Sequence, residues 1–339
     1  MGFALSTVES GLIRGPYPDF GQVHYLVDSD FRTQAQGWTR ADRTGPLDLM
    51  EARRAAGGVQ YVYRTSDYAS DAACMQAAID AMVDFRGDVL FFTPCGLTLS
   101  ASVNLDVPDA RYLSRPVNRP GSHANIVCNT ALAISIPAAG DNIEMGFLRL
   151  VPNVNSPCMN IDGNADNGYV HHVFVDAAAG ATTALTQRCF QMTTGPGILD
   201  WNFDAFQYLT SGTQGPFGVI AGTTLMATGL ILSNFTHRHV TATLAIGLLD
   251  VQCTLATGIY VQGGRGFITG ATSQVTTAVK LTDMTSPLTN CIVADFRGSV
   301  GYATVSTLYT LAGTTTEAGL SNCNIAIIAG GAGGSNYTG

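Results

Sequence analysis

Lysine is nearly missing from this chain: Lys280 is the one lysine among 17 basic residues in a sequence of 339. Charge of either sign is scarce at 12% of residues, and the balance is acidic, with a net charge of −8 and a pI near 5.1. Binding to phosphate backbones requires clustered positive charge, so nucleic acid is not the expected partner. No stretch of 18 apolar residues occurs, because the run from Pro216 to Leu232 is broken by glycine and threonine, and no membrane span is expected. The first ten residues lack a basic segment followed by a long apolar one, which predicts a soluble protein made in a cytoplasm. The eight cysteines are dispersed without a CxxC pair, which argues against a zinc site or a disulfide scaffold and leaves buried free thiols as the expectation. Neither a metal nor a cofactor is expected.

What the chain has instead is glycine, 38 residues of it, and an apolar fraction of 46%, with threonine, serine, valine and isoleucine crowding the second half. That composition suits short strands separated by tight turns. Sliding the second half over itself reveals a period of about 30 residues, the mark of a stacked architecture. Six segments carry it: DNIEMGF from Asp141, GYVHHVF from Gly168, GILDWNF from Gly197, GLILSNF from Gly229, GIYVQGG from Gly258 and NCIVADF from Asn290. Each opens on a turn residue, and the starts lie 27, 29, 32, 29 and 32 residues apart.

The third position is large and apolar (Ile143, Val170, Leu199, Ile231, Tyr260, Ile292) and the seventh is Phe147, Phe174, Phe203, Phe235 or Phe296, with Gly264 the exception. Side chains two apart share a strand face, so these positions predict an internal column of phenylalanines. A second family interleaves with the first, in runs from Cys158, Cys189, Gly218, Cys253, Val279 and Tyr309. Two families at one period imply coils with at least two faces, filling residues 126–328.

A stack of coils needs a cap on its open end. Ser70 or Asp71 can start a helix whose apolar stripe is Met75, Ala78, Ile79, Met82 and Val83, with Gly87 as its stop. The strands DVLFFTP from Asp88 and LTLSASVNLDV from Leu97 come next. This order, helix then FRGDVLFFTP then a turn and a second strand, resembles the opening of the pectate-lyase-like β-helix superfamily, which includes polysaccharide lyases, polygalacturonases and bacteriophage tailspikes. The resemblance is close from Ser70 to Val107 and extends over the coils through their period alone. It departs after Pro94, where Cys95 stands in place of the usual glycine and tyrosine. It implies an all-β fold: a right-handed parallel β-helix, a solenoid of about 30 residues per coil, with a short N-terminal capping helix and an extended N-terminal arm. The expected boundaries are 1–64 for a partner-binding arm, 65–110 for the capping helix and first strands, 111–329 for the coils and 330–339 for a flexible glycine-rich tail.

Within the coils, the polygalacturonase motifs NTD, DD, GHG and RIK are missing. The fourth position of the repeat, outward by parity, reads Glu144, His171 and Asp200 in three successive segments. Rungs about 4.8 Å apart would stack these as carboxylate, imidazole, carboxylate, with the acids about 10 Å apart, slightly beyond the separation used by inverting glycosidases. The competing explanation is a favourable surface ladder, and it is the preferred one. Trp201 has inward parity and reads as core. The cluster from Asp162 to Asn167 lacks the glutamate of a calcium loop and reads as a turn, while His237 and His239 read as loop residues.

The first 64 residues carry seven arginines, seven acids and several aromatic residues without a strand pattern long enough to build a core. Arginine and tryptophan are typical anchors of interfaces, which selects Arg32, Trp38, Arg40 and Arg43 as partner-binding residues. An arm ahead of a rigid solenoid, the phage members of the resembled family and the missing catalytic motifs together lead to one expectation. The chain is a bacteriophage virion protein, a trimeric capsid-decorating (cement) protein or head spike whose partner is the major capsid protein or another virion protein. The alternative is a tailspike-like glycanase or lyase on bacterial surface polysaccharide.

Overall fold

A computed structural model describes residues 22–27, 60–92, 96–114, 124–162, 164–177, 190–193, 197–210, 217–220 and 226–239, and the backbone of strand segments between 249 and 338. The described chain is mostly β, arranged in sheets of 19, 8 and 5 strands. Pairing among the described strands is parallel except for Asn324–Ala329 against Ser335–Thr338. One row of register partners shows the plan: Arg111, Glu144, Tyr169, Asn202, Ile231, Tyr260 and Ile292 follow one another across seven neighbouring strands.

Side chains on either side of that row point inward and fill the core. One inward column runs Ala110, Ile143, Gly168, Trp201, Leu230, and the next runs Tyr112, Met145, Val170, Phe203, Leu232, every one of them buried. Trp201 is fully buried, as its parity predicted, and its Nε1–H donates to the Ala165 carbonyl at 2.6 Å. Its ring occupies the space where a Cβ at Gly168 would stand, which fits the largest side chain of the core beside a residue with none.

The single phenylalanine column is corrected. Phe203 and Phe235 are buried, but they belong to two columns: Phe203 follows Val170, while Phe235 follows Leu148, Val173 and Phe206. Phe147 and Phe174 are only half-buried, and the side chain of Phe296 lies outside the described residues. Tyr260, placed inside by the repeat, is exposed. The physical reason is a bend. Gly87, Asp109, Asn142, Asn167, Asp200 and Gly229 occupy equivalent rungs, and all six adopt the left-handed backbone conformation, with φ between 55° and 71°. A second set, Phe147, His172, Ala205 and Asn234, does the same a few residues on. Such a residue turns the chain and breaks strand alternation, so parity cannot be carried through it.

The second strand family is also amended. Its runs from Cys158, Cys189, Gly218, Val279 and Tyr309 overlap strands of the eight-stranded sheet, but the run from Cys253 contributes Leu255–Thr257 to the five-stranded sheet, and Leu249–Gln252 takes the vacant rung. His237 and His239, expected in a loop, lie within the strand Thr236–His239.

A helix forms where the sequence indicates, but it is shorter. Helix α1 spans Asp71–Asp80, and the Ser70 hydroxyl accepts from the Ala73 N–H at 3.1 Å as N-cap. Asp71 accepts from the Thr98 N–H at 2.7 Å, and the Gln76 side-chain oxygen accepts from the Asn104 N–H at 2.8 Å, so the helix is fastened to the first rungs by polar bonds. Ala72, Cys74, Met75, Ala78 and Ile79 are buried, and sinking side chains such as Met75 and Ile79 contributes about 1.5–3 kcal/mol each. The helix ends at Ala81, not at Gly87, and Val83 is exposed rather than part of its stripe.

Two further boundaries shift. Residues 1–64 were expected to form an extended arm, yet β1 (Val23–Val27) and β2 (Gln60–Arg64) are strands of the largest sheet. β1 is inserted between β2 and β3 (Val89–Phe92), parallel to both, and Leu26 is fully buried in the main core. The alternating apolar pattern of these two runs is too short to stand out in the sequence, but their neighbours cover them. The tail expected over 330–339 contains the strand Ser335–Thr338. Among the described residues, no helix is long and apolar enough to cross a membrane.

Candidate functional site

The rung plan decides which of Glu144, His171 and Asp200 meet. Glu144 faces Tyr169 across the strands, and His171 faces Gly146 on one side and Asp204 on the other. His171 therefore lies two residues along from Glu144 and leans back over Gly146 to reach it. A Cβ on Gly146 would run into the imidazole, so glycine makes the approach possible. The result is a bond of 2.9 Å between His171 Nε2 and Glu144 Oε1.

A compact aromatic and polar cluster surrounds this pair. Arg111 Nε stands 3.4 Å from Glu144 Oε2 on the preceding rung. Tyr169 stacks on His171 with centroids 4.7 Å apart, and Phe147 meets it edge-on at 5.1 Å. His172 stacks on Phe147 at 4.9 Å, and its Nδ1 lies 3.1 Å from Nδ1 of His171. His171 is buried, while Tyr169 is 38% exposed.

The carboxylates of this stripe are held ionised. The hydrogen bond from His171 pulls the Glu144 carboxyl below the ordinary carboxylate range, against the effect of burial, and the charge of Arg111 adds to it. Burial pushes Asp204 up, but hydrogen bonds from the Ser233 hydroxyl at 2.7 Å, the Asn234 amide at 2.8 Å and the Ala205 N–H outweigh it and hold that carboxyl low as well. An ionised carboxylate can accept a hydrogen bond and cannot donate a proton, so Glu144 accepts and His171 Nε2 carries the hydrogen.

Asp200 does not join them. It sits exposed at the left-handed bend with Asn167 and Gly229 as rung neighbours, and Asp204 takes the place beside His171 that Asp200 was expected to fill. A different group of acids gathers at the bend. Asp166 is pushed above the ordinary carboxylate value by burial and by the charges of Asp141 and Asp200, and its N–H donates to Asp141 at 2.8 Å. The Asp162 side chain accepts from the Asn164 N–H at 3.0 Å, the self-bonded turn expected there.

Among the described residues, no cluster of three or more His, Cys, Asp or Glu side chains is arranged to hold a metal ion. Cys74, Cys128 and Cys158 are buried outside any disulfide, and burial raises Cys74 to about 12. The proposed anchors Arg32, Trp38, Arg40 and Arg43 lie outside the described residues. Sequence reasoning missed Arg111, Gly146, His172 and Asp204. The signal that could have found them is the recurrence of Gly, Asp and Asn at the bend, which fixes the true rungs.

No protein-family model matches the chain, and no curated protein matches it. A solved structure of a phage protein, ORF18 of Geobacillus virus E2, is a structural neighbour at 8% identity and a TM-score of 0.35, covering 78% of this chain. The chain spans 60% of the length of that neighbour.

Proposed function

We propose that the chain is a right-handed parallel β-helix serving as a structural protein of a bacteriophage virion, a trimeric capsid-decorating or head-spike protein, rather than an enzyme. The observation that carries this reading is the internal pairing of the axial stripe. Glu144 and Asp204 are each held as anions by partners from neighbouring rungs, which ties rung to rung and leaves neither with a proton for a leaving group. Cleavage of a glycosidic bond by a carboxyl pair needs one of the two protonated at working pH. A stripe that satisfies itself is a scaffold feature.

In this reading the N-terminal region grips the shell, with Arg32, Trp38, Arg40 and Arg43 as contacts to the major capsid protein or a neighbouring virion protein. Truncating such anchors commonly costs about 2 kcal/mol each, and three copies multiply the loss through avidity. Capsids purified from infected cells and labelled with an antibody against the chain test it directly. Label distributed over the head, and lost when the four anchors are replaced by alanine, is the expected result. Label at the tail tip alone, or binding unaffected by the four substitutions, overturns the capsid assignment.

One observation favours a glycanase as the second reading. Asp166 is held up beside Asp141 and Asp200, and a carboxyl raised in this way is what general-acid catalysis uses. Incubation of the full chain with host surface polysaccharide is expected to release no oligosaccharide. Release that disappears in both Asp166→Asn and Asp200→Asn would establish the enzyme.

A further inference from the structure

The N-terminal strand is held in the sheet by a buried histidine. His24 on β1 and Asp88, just before β3, are both fully buried. Asp88 collects hydrogen bonds from the N–H groups of Gln22 at 2.6 Å and Val83 at 3.0 Å, and from Arg86 Nε at 2.7 Å and Nη2 at 2.6 Å. His24 Nε2 points at the same carboxylate at 3.4 Å. Tyr61 and Tyr63 of β2 stack on the imidazole at 4.9 and 5.8 Å. The charged and titratable groups facing the ring are thus Asp88 and Arg86 from the turn before β3, and Tyr61 and Tyr63 from β2.

This arrangement favours a neutral imidazole. With the Nε2 hydrogen directed at Asp88, the lone pair is on Nδ1, which is buried and has no hydrogen-bond partner. A second proton would have to go there, placing a charged N–H in the core with no acceptor. Burial accordingly holds His24 below the usual histidine value, and although Asp88 opposes this, its charge is already engaged by Arg86.

We infer that His24 is an acid-sensitive latch, whose protonation releases β1 from between β2 and β3. The direction follows from proton linkage. The docked strand excludes a proton that the released strand takes up near the ordinary value of 6.5. Docking is therefore complete above that pH and weakens below it, by up to tenfold per unit until the docked ring itself titrates. Between pH 7.5 and 5.0 the opening equilibrium rises by up to about 30-fold. Asp88 stays charged across this window: burial pushes its carboxyl up, but the bonds from Arg86, Val83 and Gln22 hold it below the ordinary carboxylate value.

Hydrogen exchange of the full chain at pH 7.5 and 5.0, corrected for the intrinsic pH dependence of exchange, reads the opening at the amides of residues 23–27. Expected is a rise of the order above in those amides, with the rungs around Val170 and Phe203 unchanged, and no rise in His24→Phe. A wild-type chain with no rise, or an equal rise in His24→Phe, overturns the latch. If His24→Phe does not fold, the ring signal of His24 in the wild-type chain decides by itself. Protonation in step with amide opening supports the latch, and protonation while the amides remain protected refutes it.

Discussion

Replacing Phe203 by alanine, beside the same change at Phe174, tests the rung assignment. The repeat in the sequence makes the two residues equivalent. The structure does not: Phe203 is 1% exposed, between Val170 and Leu232 in its column, with Phe190 at 5.5 Å and Trp201 at 6.1 Å. Truncation there removes the transfer free energy of the ring and leaves a cavity in a layer that cannot collapse without moving Trp201, a loss of about 3–5 kcal/mol. Phe174 stands half-buried on the outer side opposite Arg149, whose guanidinium carbon lies 5.9 Å from the ring. Losing that contact costs about 0.5–1 kcal/mol. Urea unfolding followed by tryptophan fluorescence reports the difference, because Trp201 is buried against Phe203, and exchange at the amides of residues 202–204 reports it locally if the stack unfolds in sections. Equal costs for the two substitutions, or a larger one at Phe174, would refute the two-column core.

Two further outcomes probe the axial stripe. Gly146→Ala places a methyl group against the His171 imidazole, so the ring should swing off Glu144, the Glu144 carboxyl should titrate closer to its ordinary value, and thermal stability should fall by about 1–3 kcal/mol, measured by carboxyl NMR and calorimetry. Glu144→Gln should flatten the acid limb of the stability curve. The native carboxyl is held low, so what it contributes is complete above its unfolded value of 4.5 and is lost as pH falls through its folded value, and equilibrium unfolding across that range should show a smaller decline in the variant.

Much of the fold is legible in the sequence, and the errors share one cause. The period, the cap begun by Ser70, the strands after Asp88 and Leu97 and the burial of Trp201 all follow from local patterns. Rung assignment does not, because the spacing between paired strands varies: the chain takes 25 residues from Glu144 to Tyr169 and 33 from Tyr169 to Asn202. Anchoring the repeat on the phenylalanines set Asp200 beside His171, where Asp204 belongs. Anchoring it on Asp109, Asn142, Asn167, Asp200 and Gly229 restores the pairings of the rows through Glu144 and His171, since these are the residue types that tolerate the left-handed bend. Carried on through the pairings of Ile231, Tyr260 and Ile292, that series reaches Gly258 and Asn290 in the sequence, two more of the same types. The insertion of β1 was not legible at all, because it depends on a long-range contact between His24 and Asp88 that no local pattern announces.

If bends rather than strands set the rungs, one substitution should have opposite effects at two alanines. Ala205 occupies the second bend at φ 50°, where its Cβ is strained and its equivalents are Phe147, His172 and Asn234. Glycine adopts that conformation without strain, so Ala205→Gly should relieve about 1–2 kcal/mol of backbone strain while losing about 0.4–1 kcal/mol to the freer unfolded chain, a net gain of up to about 1.5 kcal/mol. Ala78 lies in the ordinary helical conformation of α1 with its methyl fully buried. Ala78→Gly loses both helix propensity and that buried methyl, and should cost about 1–2 kcal/mol. Calorimetry on the two variants gives the signs directly. A loss at Ala205 equal to that at Ala78 would mean that the bend is not held in the left-handed conformation, and the rungs drawn through it would have to be redrawn.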